Sequence, residues 1–340
     1  MLLRMPGYCE KFRCIADKCK DSCCIGWEID IDRKTAAYYE SIGGEFGERL
    51  RDNIADGCFV LDKDERCPFL NDRGLCDIII ELGEDKLCQI CSDHPRYFEW
   101  FGSVKEGGIG LCCEEAARLI LSEDHTVHES EVPDEDCDEY DAELFLLLTK
   151  ARECIITHLQ NDRLAEAVSG MLDFAEQLQY NMDNGIYELP AWEHSTRPER
   201  PDISAVFACF SELEPIDPDW PVYLSECLRK AENVTALPET DEIYLRRSAV
   251  YFIYRYFLKG VFDGEIVSRV KLAAVSTWMT GCLWECERMS GGDCGFEQKC
   301  LIARNYSKEV EYSEENLEAL ADMFYDRECF SVQKIKGLFG

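Results

Sequence analysis

Residues 14–24 read CIADKCKDSCC, so four cysteines fall within eleven positions and the last two are adjacent. Four thiolates at a suitable spacing can bind one zinc ion or hold the irons of a 4Fe–4S cluster. The gaps of four, three and zero residues differ from the paired CxxC knuckles that are typical of zinc ribbons. Because the side chains of successive residues diverge, we expect Cys23 and Cys24 to serve different purposes or different metals. Further ligands must then come from later in the chain.

Cysteines remain dense beyond this stretch, since 12 of the 21 in the chain lie within residues 1–113. The further candidate ligands are Cys67, Cys76, the CxxC pair Cys88 and Cys91, and the adjacent pair Cys112 and Cys113. Clustered thiols in a reducing compartment favour metal ligation over disulfides, and the odd total fits poorly with a complete disulfide framework. We expect Cys9 and Cys58, in contrast, to be small buried hydrophobic residues.

Other candidate ligands carry a weaker signal. A second site could be formed by Cys282, Cys286, Cys294 and Cys300, but scattered positions in a core are the favoured interpretation. His94 follows the CxxC pair closely, where it could be a ligand, a proton carrier or a partner in a local hydrogen bond. His125 and His128 lie in an acidic segment, and we expect both to be solvated.

The chain is strongly acidic. Its 340 residues include 68 acidic and 36 basic side chains, which gives a net charge of −32. Such a charge repels phosphate backbones, so nucleic acid is not an expected partner, whereas cationic partners such as lysine-bearing proteins are attracted. The sequence shows neither a signal peptide nor a run of about 18 apolar residues. We therefore expect no membrane span and a cytoplasmic location.

Acidic residues also indicate a boundary between two domains. Residues 122–143 contain 11 acids and no lysine or arginine, a composition that predicts an exposed linker. The expected organisation is a cysteine-rich cluster-binding domain over residues 1–121 and a mostly helical domain over residues 144–340. The predicted fold class is mainly α, with a metal-binding N-terminal region of short irregular elements packed on the helical C-terminal body.

Apolar periodicity places most of the predicted elements. In the C-terminal body, helices are expected over residues 144–159, 163–182, 222–232, 241–258, 264–288 and 313–324, with a proline-rich loop at 189–221. In the N-terminal region, short helices are expected over residues 33–39, 45–54, 85–92 and 114–121, with a strand at 98–104. Tyr251, Tyr254 and Tyr256 form an aromatic stripe that is expected in the core, with Arg255 paired to a buried acid.

Several stretches together resemble one known family. FRCIADKCKDSCCIGWEIDID (residues 12–32) resembles the start of the flagellin lysine-N-methylase family, also described as CxxCxxCC-type putative zinc- or iron-chelating proteins. CPFLNDRGLCDIIIELGEDKLCQICSDHPRYF (67–98) and GLCCEEAARLIL (110–121) are similar to the next blocks of that family, in order. YFIYRYFLKG (251–260) and YSKEVEYSEENLEAL (306–320) resemble its helical C-terminal part.

The resemblance implies a protein-lysine N-methyltransferase that uses S-adenosylmethionine and acts on flagellin or another lysine-bearing protein. It also implies a cysteine-ligated iron–sulfur cluster, 4Fe–4S by expectation, with zinc as the alternative. The matching metal-ligand candidates are Cys14, Cys19, Cys23, Cys24, Cys67, Cys76, Cys91 and Cys113. Cys88 and Cys112 stand outside the common pattern. Eight thiols are twice what one cluster needs, so either two sites exist or half of the set is structural.

Two alternatives to an enzyme remain at this stage. The chain could be a zinc- or iron-chelating protein without catalytic activity, or a zinc-braced scaffold whose acidic surface binds a basic partner. No glycine-rich loop follows an apolar strand in the way that opens a doubly wound methyltransferase domain. Residues 107–110 are the nearest candidate, and a plain glycine turn explains them equally well. The pocket for S-adenosylmethionine and the catalytic residues are not predicted from the sequence.

Overall fold

The structure is a computed structural model that describes residues 1–20, 22–137, 139–193, 197–234, 236–292 and 294–340. It is mainly helical with a few short strands, which confirms the predicted fold class. Residue 138 of the predicted linker and residues 194–196 of the predicted proline-rich loop lie outside the described residues. Within the described ranges, no helix has both the length and the apolar character needed to span a bilayer.

The N-terminal region combines short helices with two small sheets. The helices are α1 (Arg33–Ser41), α2 (Gly44–Asp52), α3 (Asp77–Leu82), α4 (Gln89–Asp93) and α5 (Glu114–Ser122). The strands are β1 (Leu2–Pro6), β2 (Ile54–Ala55), β3 (Cys58–Phe59), β4 (Arg96–Phe101), β5 (Val104–Ile109) and β6 (Val127–Glu131). Helices α1 and α5 match the predicted spans closely, whereas the helix expected at 85–92 is confined to α4.

The larger sheet has four strands in the order β4-β5-β1-β6. The strand predicted at 98–104 is instead two strands, because Gly102 takes a φ of +60° and turns β4 back onto β5. β1 pairs parallel to β5, with Leu3 opposite Lys105, and antiparallel to β6, with Leu3 opposite Ser130. Residues 127–131 of the predicted linker form β6, and the side chains of that strand are exposed as predicted.

The glycine-rich stretch 107–110 is a strand and not a phosphate-binding loop. Gly107 and Gly108 lie in β5, opposite Phe98 and Tyr97 of β4. A Cβ atom built at Gly108 would lie 2.4 Å from the Tyr97 hydroxyl oxygen, so a side chain there would displace the tyrosine ring. These glycines thus make room for aromatic residues of the neighbouring strand.

The C-terminal body is built from helices. They are α6 (Ala142–Asn161), α7 (Leu164–Asp183), α8 (Ile203–Ser211), α9 (Trp220–Ala231), α10 (Glu242–Tyr256), α11 (Gly260–Asp263), α12 (Val267–Met289), α13 (Phe296–Glu311), α14 (Glu314–Asp326) and α15 (Val332–Gly337). The periodicity predicted α6, α7, α9, α10, α12 and α14. It missed α8, which lies inside the expected proline-rich loop and is capped by the Asp202 side chain, and it missed α13.

Two hydrophobic cores divide the chain in a way that differs from the expected boundary. The smaller core belongs to residues 24–91 and includes Ile29, Tyr39 and Phe69. The larger core joins the helical body to parts of the N-terminal region, namely Phe101, Ile109 and α5. The strands and α5 therefore pack as part of the body, and the division into 1–121 and 144–340 stays a prediction.

A buried ion pair fixes the sheet to the body. Arg152 of α6 donates two hydrogen bonds to the Glu106 carboxylate of β5, at 2.6 and 2.7 Å, and both residues are 5% exposed. The guanidinium also lies over the Tyr254 ring, 4.6 Å from its centroid. Because each charge is shielded from water, the loss of one partner would leave the other without compensation.

We expect Arg152→Met to lower the free energy of unfolding by about 3–5 kcal/mol, because it leaves the Glu106 carboxylate buried without its partner. Arg118→Met is the matched control. It breaks an ion pair with Glu115 in which the arginine side chain is 48% exposed, and it should cost less than about 1 kcal/mol. Chemical denaturation of both variants measures the two values. Equal losses of unfolding free energy in the two variants would show that the buried pair stabilises the fold no more than the exposed pair.

Candidate active site

The adjacent cysteines 23 and 24 connect two groups of thiols. The Cys23 and Cys24 thiols interact with each other, and this hydrogen bond raises the pKa of Cys23 and lowers the pKa of Cys24 to about 7. Their other neighbours differ. Cys14 and Cys113 lie near enough to raise the pKa of Cys23 further, whereas Cys24 raises the pKa of Cys67 and Cys76.

We call the first group the surface thiol set, and its members are Cys14, Cys19, Cys23 and Cys113. Cys14 and Cys23 are exposed, and the other two are half-buried. Cys113 immediately precedes α5, and burial raises its pKa to about 11, with further increments from Cys19 and Cys14. The Cys19 thiol also lies 3.6 Å from a carboxylate oxygen of Glu114, on the first turn of α5. The start of α5 thus lies beside the loop that carries the other three thiols.

The second group, the core thiol set, consists of Cys24, Cys67, Cys76, Cys88 and Cys91. All five belong to or pack on the smaller hydrophobic core. The backbone places them: the Cys67 N–H donates to the Cys24 carbonyl at 2.8 Å, and Leu70 forms a bridge with Cys76. The Asp32 carboxylate accepts from the N–H groups of Thr35 and Gln89, and so joins the N-termini of α1 and α4. This fixes Cys88 and Cys91 against the rest of the set.

Both sets have the donor chemistry of a soft-metal site. Thiolate ligands select zinc and iron–sulfur clusters, and each set supplies at least four. Four sulfurs around one zinc ion would lie about 3.8 Å apart, given Zn–S bonds of about 2.3 Å. Among the described residues, no three thiols lie within 4.8 Å of one another. The sulfurs in this structure are therefore spaced more widely than the ligands of a closed zinc site. The eight candidates stay predictions as ligands.

Of the two cysteines that were expected to be buried small hydrophobic residues, only one is buried. Cys9 is buried as expected, but Cys58 is only half-buried and lies 3.1 Å from a carboxylate oxygen of Asp30. Hydrogen bonds to Glu28 and Asp30 raise the pKa of Cys58 to about 12. Glu28, Asp30 and Cys58 have ligand atoms within 4.8 Å of one another, a group that the sequence analysis did not anticipate. Its two acids are exposed.

The second site considered for the later cysteines does not assemble in the described residues. Cys286 of α12 neighbours Cys282 and Cys227, and its thiol lies 3.4 Å from the Cys227 carbonyl. The charged neighbours of Cys294 include Arg288 and Lys299, whereas those of Cys300 include Arg118 and Glu114. All four candidates are buried, in agreement with the favoured core interpretation.

A large open cavity lies between the smaller core and the body. Its volume is about 950 Å³. Its walls come from residues 27, 30–33, 56–57, 89–90, 93–98, 100, 110, 255, 311–312 and 314. On β4, the side chains of Tyr97, Phe98 and Trp100 line the cavity, whereas Phe101 is buried in the larger core. Trp27, His94 and Tyr312 also line it, and the sequence analysis did not assign Trp27 or Tyr312 a role.

One wall of the cavity rests on a buried arginine–glutamate pair. Arg255 lies 3.1 Å from the Glu311 carboxylate, which confirms that the arginine in the aromatic stripe pairs with a buried acid. The hydroxyls of Tyr251 and Tyr256 donate to the same carboxylate at 2.8 and 2.7 Å, and the Arg255 guanidinium lies 4.6 Å from the centroid of the Tyr97 ring. This network holds α10, the end of α13 and β4 in one arrangement beside the cavity.

The histidines have different surroundings. Burial lowers the pKa of His94 to about 4, and its Nδ1 atom lies 2.9 Å from the Tyr312 hydroxyl, so a local hydrogen bond is confirmed. His125 is not solvated as predicted, because its ring packs against Tyr254 with 4.7 Å between centroids. Both of its ring nitrogens are hidden from solvent without a hydrogen-bond partner in the described residues. His128 is exposed and lies 2.8 Å from a Glu10 carboxylate oxygen.

Comparison with known proteins identifies the family. Residues 152–338 match the profile of the FliB lysine N-methylase C-terminal domain, which is more than half of the chain. The chain belongs to the FliB lysine N-methylase family. No solved structure matches this fold.

Two curated relatives extend the comparison. The lysine N-methylase of Salmonella typhimurium is 26% identical over 131 residues, which is 35% of this chain and 32% of that protein. The flagellar biosynthetic protein FliU of Salmonella muenchen is 26% identical over 131 residues, 35% of this chain and 76% of that protein. The chain thus spans about a third of the length of the lysine N-methylase that it matches.

We expect His125 to make the fold sensitive to acid. Burial, with Arg152 nearby, lowers its pKa from the ordinary 6.5 to about 4, so between these values the unfolded chain binds a proton that the folded chain does not. The free energy of unfolding should therefore fall as the pH is lowered through this window, by up to about 3 kcal/mol. His125→Phe should flatten that fall in denaturation measured at several pH values. If the free energy of unfolding of His125→Phe depended on pH as steeply as that of the parent protein, the lowered pKa of His125 would be contradicted.

Proposed function

We propose that this protein is a protein-lysine N-methyltransferase that uses S-adenosylmethionine and acts on flagellin or another lysine-bearing protein. The observation that carries the proposal is the match of residues 152–338 to the lysine N-methylase family, together with an acidic and aromatic cavity beside that region. The cavity is large enough for a cofactor and an extended side chain together, since binding pockets of roughly 300–1,000 Å³ hold molecules of drug size.

The charges around the cavity suit this chemistry. Both the sulfonium of the cofactor and the lysine ammonium are cations, which carboxylates and aromatic faces stabilise. Six lining residues are acidic, namely Asp30, Asp32, Asp56, Asp93, Glu311 and Glu314, against three that are basic, Arg33, Arg96 and Arg255. Arg255 is already paired with Glu311, so the cavity is negative on balance.

The reaction needs a neutral amine and an in-line approach. The amine lone pair forms the new N–C bond while the methyl–sulfur bond breaks, and the electrons of that bond stay on the sulfur. The ammonium proton must first pass to water, and desolvation of the amine in the cavity lowers its pKa and so favours that loss. The aromatic walls at Tyr97, Phe98 and Trp100 exclude water, and the fixed Arg255–Glu311 pair keeps their geometry, which matters because reacting atoms must meet at about 3–3.5 Å.

We assign the iron–sulfur cluster of this proposal to the surface thiol set. It supplies four thiols, and it adjoins the cavity, because the Trp27 indole N–H donates to the Cys23 carbonyl and Cys23 raises the pKa of Tyr312. A bound cluster supplies iron that can accept electrons or ligands beside the cavity. The core thiol set would then brace the smaller core, with or without a metal of its own. Zinc in place of iron is the alternative.

A second candidate function is metal chelation without catalysis. The observation that favours it is the core thiol set, whose five thiols belong to or pack on the smaller hydrophobic core. Tight metal binding without affinity for S-adenosylmethionine would support this candidate.

Methyl transfer is tested with anaerobically reconstituted protein, S-adenosylmethionine and purified flagellin. We expect the intact mass of flagellin to increase in steps of one methyl group. Glu311→Gln should lower the rate roughly tenfold, equivalent to about 1.4 kcal/mol of barrier, because Arg255 loses its counter-charge and the attraction of the cavity for cations weakens. Glu315→Gln, at an exposed acid of α14, is the control and should keep the parent rate. No mass increase with intact metal content would contradict the methyltransferase proposal.

The cluster assignment is tested by iron content. We expect Cys113→Ser to lose most of the bound iron and the visible absorbance, because it removes one of only four ligands in the surface thiol set. Cys76→Ser, in the core thiol set, should keep that absorbance in the folded fraction. Cys154→Ser is the control, since this thiol lies on α6 outside both sets. Loss of absorbance in Cys76→Ser and not in Cys113→Ser would move the cluster to the core thiol set.

A further inference from the structure

Three aromatic rings meet at one wall of the cavity. The centroids of Trp27 and His94 lie 5.8 Å apart, those of Trp27 and Tyr312 lie 6.2 Å apart, and those of His94 and Tyr312 lie 6.0 Å apart. The three distances close a triangle, and two of the three ring pairs are nearly perpendicular, at 78° and 74°. We call Trp27, His94 and Tyr312 the ring triangle. All three line the cavity.

Hydrogen bonds hold the ring triangle in place. The Trp27 indole N–H donates to the Cys23 carbonyl, and the Tyr312 hydroxyl pairs with Nδ1 of His94 at 2.9 Å. The Tyr312 hydroxyl also hydrogen-bonds to the Cys112 thiol. Tyr312 directly follows α13, next to the buried Glu311, so its backbone position is set by the Arg255–Glu311 pair. The rings are therefore ordered before any ligand binds.

The ring triangle is uncharged in a negative cavity. Burial lowers the pKa of His94 to about 4 and raises the pKa of Tyr312, so both are neutral near pH 7. Neutral aromatic faces attract a cation through the ring quadrupole, and groups of such rings bind quaternary and methylated ammonium groups in proteins. The cavity wall also carries more acidic than basic residues, so its electric field attracts a cation.

We propose that the ring triangle is the subsite for the ε-ammonium group of the acceptor lysine and for its methylated forms. This inference rests on the proposed methyltransferase function and names where the substrate side chain binds. Because the attraction of aromatic faces does not require an N–H donor, the subsite holds a mono- or dimethylated side chain as well as an unmodified one. The same lysine can then stay bound for a further methyl transfer.

Binding of short peptides, measured by calorimetry without S-adenosylmethionine, tests the subsite independently of turnover. The probes are one lysine-containing peptide in its unmodified, trimethyllysine and acetyllysine forms. We expect the parent protein to bind the trimethyllysine peptide more tightly than the neutral acetyllysine peptide. Trp27→Leu and Tyr312→Leu should weaken trimethyllysine binding at least fivefold, as expected for the loss of one cation–π contact.

Conservative variants separate the rings from their hydrogen bonds. Trp27→Phe keeps an aromatic face without the indole N–H and should retain most of the affinity. Tyr325→Leu is the control, because this tyrosine of α14 is 89% exposed and outside the cavity. Equal affinity for the trimethyllysine and acetyllysine peptides, or the same loss in Trp27→Phe as in Trp27→Leu, would overturn the proposal.

The two proposals can fail separately. Methyl transfer to flagellin together with binding that does not depend on the rings would overturn the ring triangle as the lysine subsite and keep the methyltransferase function. Ring-dependent binding of the trimethyllysine peptide without any methyl transfer would leave a cation-binding subsite and contradict the enzyme.

Discussion

One peptide bond, between Cys23 and Cys24, constrains most of the N-terminal region. The thiol on one side of it belongs to the exposed loop beside α5, and the thiol on the other side belongs to the smaller hydrophobic core. The carbonyl of Cys23 holds the Trp27 ring, and the carbonyl of Cys24 holds the backbone of Cys67. The cavity wall and both thiol sets therefore share one short segment, and none of them can shift without the others.

Buried ion pairs also determine how the elements of the protein pack together. The protein is acidic overall, yet its buried carboxylates at Glu106 and Glu311 are matched by Arg152 and Arg255. A buried charge without a partner is strongly unfavourable, so one pair fixes where β5 meets α6 and the other fixes where α10 meets α13. Acids without an ion pair lie mostly at the surface and in the cavity, where they can attract a cation. Glu309 is buried, and its carboxylate instead accepts hydrogen bonds from the N–H groups of Ile216 and Asp217.

The sequence predicted the parts of the structure that depend on local spacing. Helices such as α6, α7 and α12 follow from apolar periodicity, and the pairing of Arg255 follows from a charge placed among aromatic residues. Strand β1 was missed because a five-residue strand shows no clear alternation, and β6 because its acidic side chains resemble a linker. The burial of His125 depends on Tyr254, more than a hundred residues away, so no local pattern could predict it.

The candidate site was predicted only for its sulfurs. Cysteine density named the candidate thiols, which stay predictions as ligands. The expected divergence of the Cys23 and Cys24 side chains is not met, because their thiols hydrogen-bond to each other. Trp27 and Tyr312 are 285 positions apart in the chain and carry no motif, so their meeting is visible only in three dimensions. Weak signals existed, since Trp27 closely follows the thiols and Tyr312 lies in a stretch that resembles the family.

The cavity is assembled from both halves of the chain, and this limits how such a protein can evolve. The region that matches the C-terminal family profile contributes Arg255, Glu311, Tyr312 and Glu314 to the walls, and residues 27–110 contribute all the others. Recombination that joined the N-terminal half of one relative to the C-terminal half of another would combine cavity walls that had evolved separately. This architecture favours inheritance of both halves as one unit, with paired substitutions on the two sides of the cavity.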